Sequence, residues 1–293
     1  MRRNILSFSG KTITGEIGKI LATGDVNIAN ANVEKLTGAG DVNIENSYIG
    51  DTKLAGDLTA SGSSFGTFNL AGEAKFLGNC KGDTFIIIGR MEAESLEARI
   101  LRNFSVISNV KIYGNEINHS KDSVYKGKIK AETFENLCDF HLNFDYDFKN
   151  ILSIGTLYGE GILECEELYS FGSIKVEEIN AEVVYIHPDS GSKVKQVMGS
   201  DIRITKNFLM DQTFLSLPKS ADNKLYRREA SNPATIMELD SIEGDDIVLD
   251  HVRAKYVSGD HVIIGDRCVI DTVEYKSDIE ISSWAKVKNK IKL

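Results

Sequence analysis

The residues best suited to chemistry are acidic, and they alternate. Asp139, His141, Asn143, Asp145 and Asp147 take every second position, and Phe140, Leu142, Phe144, Tyr146 and Phe148 take the others. On a half-buried strand the acids and the histidine would share one outward face. Paired carboxylates on such a face are what general acid/base cleavage of a glycosidic bond requires. Glu164, Glu166 and Glu167 make a second acidic group, with Glu177, Glu178 and Glu182 following. On either group the simpler expectation is a solvated outer face of an acidic protein.

Other catalytic chemistry finds less support. His119, His141, His187, His251 and His261 show no spacing for metal binding or for activating a nucleophile. His251 and His261 are each preceded by an aspartate, Asp250 and Asp260, which suggests ordinary surface pairing. Cys80, Cys138, Cys165 and Cys268 form no Cys-x-x-Cys, which argues against zinc and against a disulfide framework. There is no Gly-x-x-x-x-Gly-Lys-Ser/Thr loop and no Gly-x-Ser-x-Gly elbow. The expectation is a non-enzymatic protein with no cofactor and no metal.

What must position these residues is a repeat. Gly24-Asp25-Val26-Asn27-Ile28 returns sixteen residues later as Gly40-Asp41-Val42-Asn43-Ile44, then as Gly56-Asp57-Leu58-Thr59-Ala60 and Gly72-Glu73-Ala74-Lys75-Phe76. A second column of the same period holds Asn30, Asn46, Gly62 and Gly78, and a third holds Gly50, Gly66 and Gly82. Gly and Asn tolerate left-handed backbone, so these columns mark recurring corners. Between corners Val26, Val42 and Leu58 with Ile28 and Ile44 face inward. The period is too short for a helical repeat. It predicts an all-β, single-chain parallel β-solenoid with coils of about sixteen residues, which bury their inner faces only by stacking. A six-residue beat, as in left-handed acyltransferases, is absent.

The expected organisation has four parts. Residues 1–20 form an N-terminal cap or entry segment with an irregular first coil, 21–197 the coils, 198–239 a long loop or inserted excursion, and 240–293 further coils with a lysine-edged cap. The excursion holds Pro218 and Pro233, and its apolar Phe208 and Phe214 are candidates for contacting a partner. After Gly89 the beat slips to seventeen, so that 91–97 reads as either a longer coil or a short helical excursion. In the final strand Lys286, Lys288, Lys290 and Lys292 alternate with Val287 and Ile291. Lysines along one side of an edge strand discourage uncontrolled pairing.

With 293 residues, 42% hydrophobic and 26% charged, the chain has a folded protein's composition. A net charge of -9 argues against nucleic acid as a partner. No secretory signal and no run of about 20 apolar residues is visible, so the expected location is the cytoplasm, with membrane contact at most peripheral. The expected partners are the chain itself, through its coil ends, and another protein.

The Gly-Asp-x-x-Ile/Leu coils, and above all 241–249 with 254–265 and 273–276, resemble the bactofilins, polymer-forming bacterial cytoskeletal proteins, in their longer Gram-positive form. The resemblance implies a right-handed β-helix without bound nucleotide. It also implies end-to-end assembly and a scaffold role in cell shape, envelope organisation or flagellum-linked morphogenesis. A capped, non-polymerising adaptor and a polysaccharide-active β-helix enzyme are the alternatives.

Overall fold

The computed structural model describes residues 3–7, 12–104, 112–113, 128–136, 140–142, 146–206 and 233–293. The described residues contain strands, turns and bends but no helix, and the strand pairs are parallel. The chain divides into two compact units, Met1–Phe148 and Lys149–Leu293.

In the first unit the sixteen-residue beat is the register of the sheet. Val26 pairs with Val42, Val42 with Leu58, and Leu58 with Ala74; Ile28, Ile44, Ala60 and Phe76 follow the same path. All eight are buried. Each residue is thus stacked on its own equivalent one rung away, so an apolar position in one coil dictates an apolar position in the next. Where the column swells, rings fill it: Phe65, Phe68, Phe76 and Phe85 meet with centroids 5.1 to 6.2 Å apart. Most of these contacts are edge-on, the arrangement that the ring quadrupoles favour.

The corners are of two kinds. Asn30, Asn46, Gly62 and Gly78 all adopt left-handed backbone, with φ of 49°, 45°, 55° and 63°. The column of Gly40, Gly56, Gly72 and Gly89 has φ between 125° and 148°, and its members lie almost in contact with the rung below. A Cβ on Gly56 would fall 2.5 Å from the carbonyl oxygen of Gly40, and one on Gly72 would fall 2.0 Å from that of Gly56. The first column needs its backbone conformation; the second also needs the empty space. Gly89 continues the second column across the seventeen-residue step, and 91–97 lies within the strand Ser64–Phe104, so the slip is a longer coil.

The ends of two expected segments are seen in more detail. Within 1–20 the described residues hold a rung that runs past residue 20: Thr12–Ala22, with Ile13, Ile17 and Ile20 buried and a register shift between Ile13 and Gly15, pairs with Arg3–Ser7 on one side. The break at 198–239 is narrower. Gln196–Ile204 and Met237–Leu249 are neighbouring strands, with Ile202 beside Ile247. Residues 207–232, with Phe208 and Phe214, lie outside the described residues. The prolines Pro218 and Pro233 drew the break too wide and hid its two ends, whose apolar residues Ile202, Ile204, Met237 and Leu239 are buried.

In the second unit the inward column runs Leu163, Ile179, Val197, Ile242, Val257 and Val273, each with no exposed surface. A parallel column runs Ile151, Leu168, Val184, Ile202, Ile247 and Val262.

Two expectations test this packing. Gly56→Ala forces a backbone clash and should lower unfolding stability by roughly 2–4 kcal/mol. Gly78→Ala has open space around the new methyl group and should cost only about 1–2 kcal/mol for its left-handed backbone. Equal costs in urea unfolding would contradict the close-approach column. Thr52 stands between Leu36 and Phe68 in an inward column, fully buried, and its hydroxyl has no partner among the described residues. Thr52→Val should therefore raise stability by about 1 kcal/mol in the same assay.

Candidate functional site

In the second unit several outward positions are paired rung to rung. In the second unit one outward column reads Glu177, Lys195, Asp240, Lys255, Asp271 and Lys288, alternating in sign at every step. Lys195 reaches Glu177 at 2.7 Å, Lys255 reaches Asp240 at 2.7 Å, and Lys288 reaches Asp271 at 2.5 Å. The hydrogen bond from Lys195 and its charge hold the Glu177 carboxyl below its ordinary range. Asp240 raises Lys255 in the same way, and Asp271 adds to the effect. The alternation follows from the spacing of neighbouring strands at roughly 4.8 Å, where opposite charges attract and like charges repel.

A neighbouring outward column carries Lys175, Lys193, Glu238 and Arg253. Arg253 pairs with Glu238. Two shallow grooves lie along these columns. One, of about 490 Å³, is lined by Lys195, Asp240, Arg253, Lys255, Asp271 and Lys288 among others; the second, of about 590 Å³, by Glu160, Lys175, Glu177, Lys193 and Lys195.

The acidic groups singled out for chemistry are distributed differently. Glu164 and Glu166 are exposed, and Glu166 pairs with Lys149 at 3.2 Å. Glu167 is a hydrogen-bond partner of Tyr169, whose hydroxyl is held in its neutral form by burial and by that carboxylate. Asp139, His141 and Asp145 have no described side chains, and Asp147 is half-buried beside the buried Phe148. Among the described residues no group of three or more His, Cys, Asp and Glu is placed to hold a metal ion.

The thiols are poorly suited to attack. Burial, with Glu167 and Glu166 nearby, pushes Cys165 up to about 12, and burial pushes Cys268 up to about 11. Cys80 is buried and raised for the same reason. A thiol so shifted is protonated at neutral pH and is a weak nucleophile.

The histidines correct the expectation of simple surface pairing with the preceding aspartate. His251 is buried at a corner with φ of 58°, and its Nδ1 lies 2.9 Å from Asp250 Oδ1. His261 is exposed but pairs with Asp278, one rung on, while Asp260 pairs with Lys276 at 2.9 Å. Rung neighbours, rather than chain neighbours, supply most partners.

The final strand departs most from expectation. Lys286–Lys292 bends with the coil. Val287 stands beside the buried Ile270, and three residues later Lys290 stands beside the buried Val273. The lysines therefore do not share one face. Lys290 takes the inward column that Leu163 begins, and Ile291, 43% exposed, takes the outward position beside Glu274. Strand alternation fails here because the coil turns a corner within the strand.

Sequence reasoning missed a buried serine ladder. Ala31 N donates to Ser47 Oγ at 3.1 Å, and Ser47 N donates to Ser63 Oγ at 3.2 Å. Each hydroxyl in turn donates to a carbonyl two residues back, Ser47 to Glu45 and Ser63 to Ser61. The signal was present in the sixteen-residue gap between the two serines.

No family model matches the chain, and no solved structure matches it. The chain is similar in part to two uncharacterized proteins of Bacillus subtilis (strain 168). It is 43% identical to YhbE over 61 residues, 21% of this chain and 26% of the relative. It is 43% identical to YhbF over 54 residues, 18% of this chain and 23% of the relative. The chain thus spans about a quarter of the length of the curated relatives it matches.

The His261–Asp278 pair gives a pH test. The hydrogen bond and charge of Asp278 raise His261 above its ordinary 6.5. A histidine raised on folding stabilises the fold fully below its unfolded pKa, and the contribution fades as pH rises through the folded value. Titration of His261 followed by NMR should give a pKa above 6.5, and Asp278→Asn should return it toward 6.5. An unchanged titration in the variant would break this pairing.

Proposed function

We propose that the protein is a non-enzymatic scaffold of the bactofilin type, acting in bacterial cell shape or envelope organisation. The observation that carries this reading is the alternating charge column of Glu177, Lys195, Asp240, Lys255, Asp271 and Lys288. Side chains that would otherwise be free to bind and transform a substrate pair with adjacent rungs. A stack built this way supplies an extended, regular surface, which suits holding other molecules in place. The Gly-led coils that resemble bactofilins support the same reading, which places the protein in the cytoplasm.

A second reading has its own observation. Lys290 in an inward column places a charge where the next coil's apolar residue would stack. Lys290 is itself exposed, and a charge at that register position on an edge strand opposes edge-to-edge growth. This favours a capped adaptor over a polymer.

Sedimentation velocity and negative-stain microscopy across concentration and salt separate the two. The capped form should remain a monomer or small oligomer throughout, and Lys290→Val should promote concentration-dependent association. Filaments of the unaltered protein would select the polymer and exclude the cap.

A further inference from the structure

We infer that the groove walled by Lys175 and Lys193 in the second unit is a dock for an acidic, extended peptide segment of a partner protein. The inference deepens the scaffold reading, in which the outer surface holds other molecules, and rests on it.

The alternation of charge between rungs fails here. Lys175 pairs with Lys193 as a bridge between neighbouring rungs, and both side chains are exposed. Two ammonium groups one rung apart, with roughly 4.8 Å between the backbones, repel each other. Neither lysine makes an ion pair among the described residues. Glu177, in the same groove, is held by Lys195 at 2.7 Å. Glu160, the groove's other acid, pairs with neither lysine among the described residues. Further along the column, Glu238 is taken by Arg253. The step from Lys175 to Lys193 is thus short of negative charge, which a ligand can bring.

The place is also concave. The groove of about 590 Å³ is lined between its charges by Gly159, Val176 and Val194, and it adjoins the groove of about 490 Å³ at Val194 and Lys195. Together they follow the stack, so an extended chain laid along them meets a new rung every ~4.8 Å. Backbone groups in the wall are already taken. Lys193 N donates to Ile174 O at 2.6 Å, and Val176 N donates to Lys193 O at 3.1 Å. Recognition therefore falls to side chains: carboxylates on the lysine pair and small apolar groups over the valines.

Other occupants fit less well. A nucleic acid would carry its phosphates past Glu177, Asp240 and Asp271 in the same grooves. A sugar ring favours an aromatic face, and no aromatic residue lines either groove among the described residues. A flat anionic bilayer would not follow a concave wall that carries both signs.

The probe is the acetylated and amidated peptide Ala-Glu-Val-Glu-Ala, titrated into the full chain by calorimetry. The expected result is saturable binding that weakens as salt rises, with none for Ala-Gln-Val-Gln-Ala. Lys193→Gln should weaken binding about tenfold. Lys175→Glu gives Lys193 an opposite neighbour and should abolish binding. Both lysines are exposed, so the unfolding temperature should hold in each variant. Lys19→Gln is the control. Lys19 also faces a lysine, Lys35, on the next rung, but in the first unit, and its loss should leave binding unchanged.

Failure of the acidic peptide to bind would overturn the inference. So would an equal loss of binding in Lys19→Gln, which would show charge attraction without the groove. Binding of phosphatidylglycerol vesicles or of an oligogalacturonate through Lys175 and Lys193, with no peptide binding, would overturn it in favour of a lipid surface or an acidic glycan. The scaffold reading fails separately: peptide recovered cleaved, as read by mass spectrometry, would remove that reading and leave the dock in place.

Discussion

Every residue in these stacks is held against its own equivalent. Parallel pairing at a fixed spacing sets Val42 on Val26 and Leu58 on Val42, and a backbone hydrogen bond joins each rung to the next. Nothing else in the fold is free of this condition. A glycine corner must recur because the backbone of the previous corner occupies the space where a Cβ would go. A buried serine at 47 has its hydroxyl taken by the amide of Ala31, and its own amide looks to Ser63 for the same service. The chemistry of a position is therefore set by the residues one coil before and one coil after, more than by its neighbours in sequence.

The outer surface follows the same rule with weaker forces. An exposed ion pair contributes little to stability, on the order of a few tenths of a kcal/mol. The pairs Lys195–Glu177, Lys255–Asp240 and Lys288–Asp271 are all substantially exposed. Their effect lies in selection: a strand shifted by one residue would place Lys255 beside a different side chain and bring its inward residues to the surface. Outer charge and inner apolar columns thus specify one register together. The net charge of -9 then coexists with a face where bases and acids balance.

The beat was legible where a rare residue type marked it. Asn30, Asn46, Gly62 and Gly78 take left-handed backbone, and few residues do so cheaply, so the corner showed in the sequence. The columns Val26–Val42–Leu58 and Ile28–Ile44 were legible because branched aliphatic residues recur in them. Beyond residue 100 the signal weakened for physical reasons. The second unit fills its corners with residues such as His251 and Arg267, at φ of 58° each, which no composition rule selects. Its strands bend within themselves, so inward residues fall three apart, as Ala254 and Val257 do, and an alternation rule assigned Lys290 to the wrong side. The acidic group at 164–167 was read from strand parity alone, which gathers like residues on a face and shows none of their partners. The partners Lys149 and Tyr169, which engage Glu166 and Glu167, are visible only once rungs are stacked.

Ile202 and Ile247 are adjacent in space although 45 positions separate them, while Ile247 and Val262 are adjacent at 15. The stack registers the arrival of the next rung and is indifferent to the contour length spent between rungs. The same columns run on from Gln196–Ile204 to Met237–Leu249 as they do from Met237–Leu249 to Val252–Ile264. Register is thus kept by which rung arrives next, and the count of residues between rungs does not enter it.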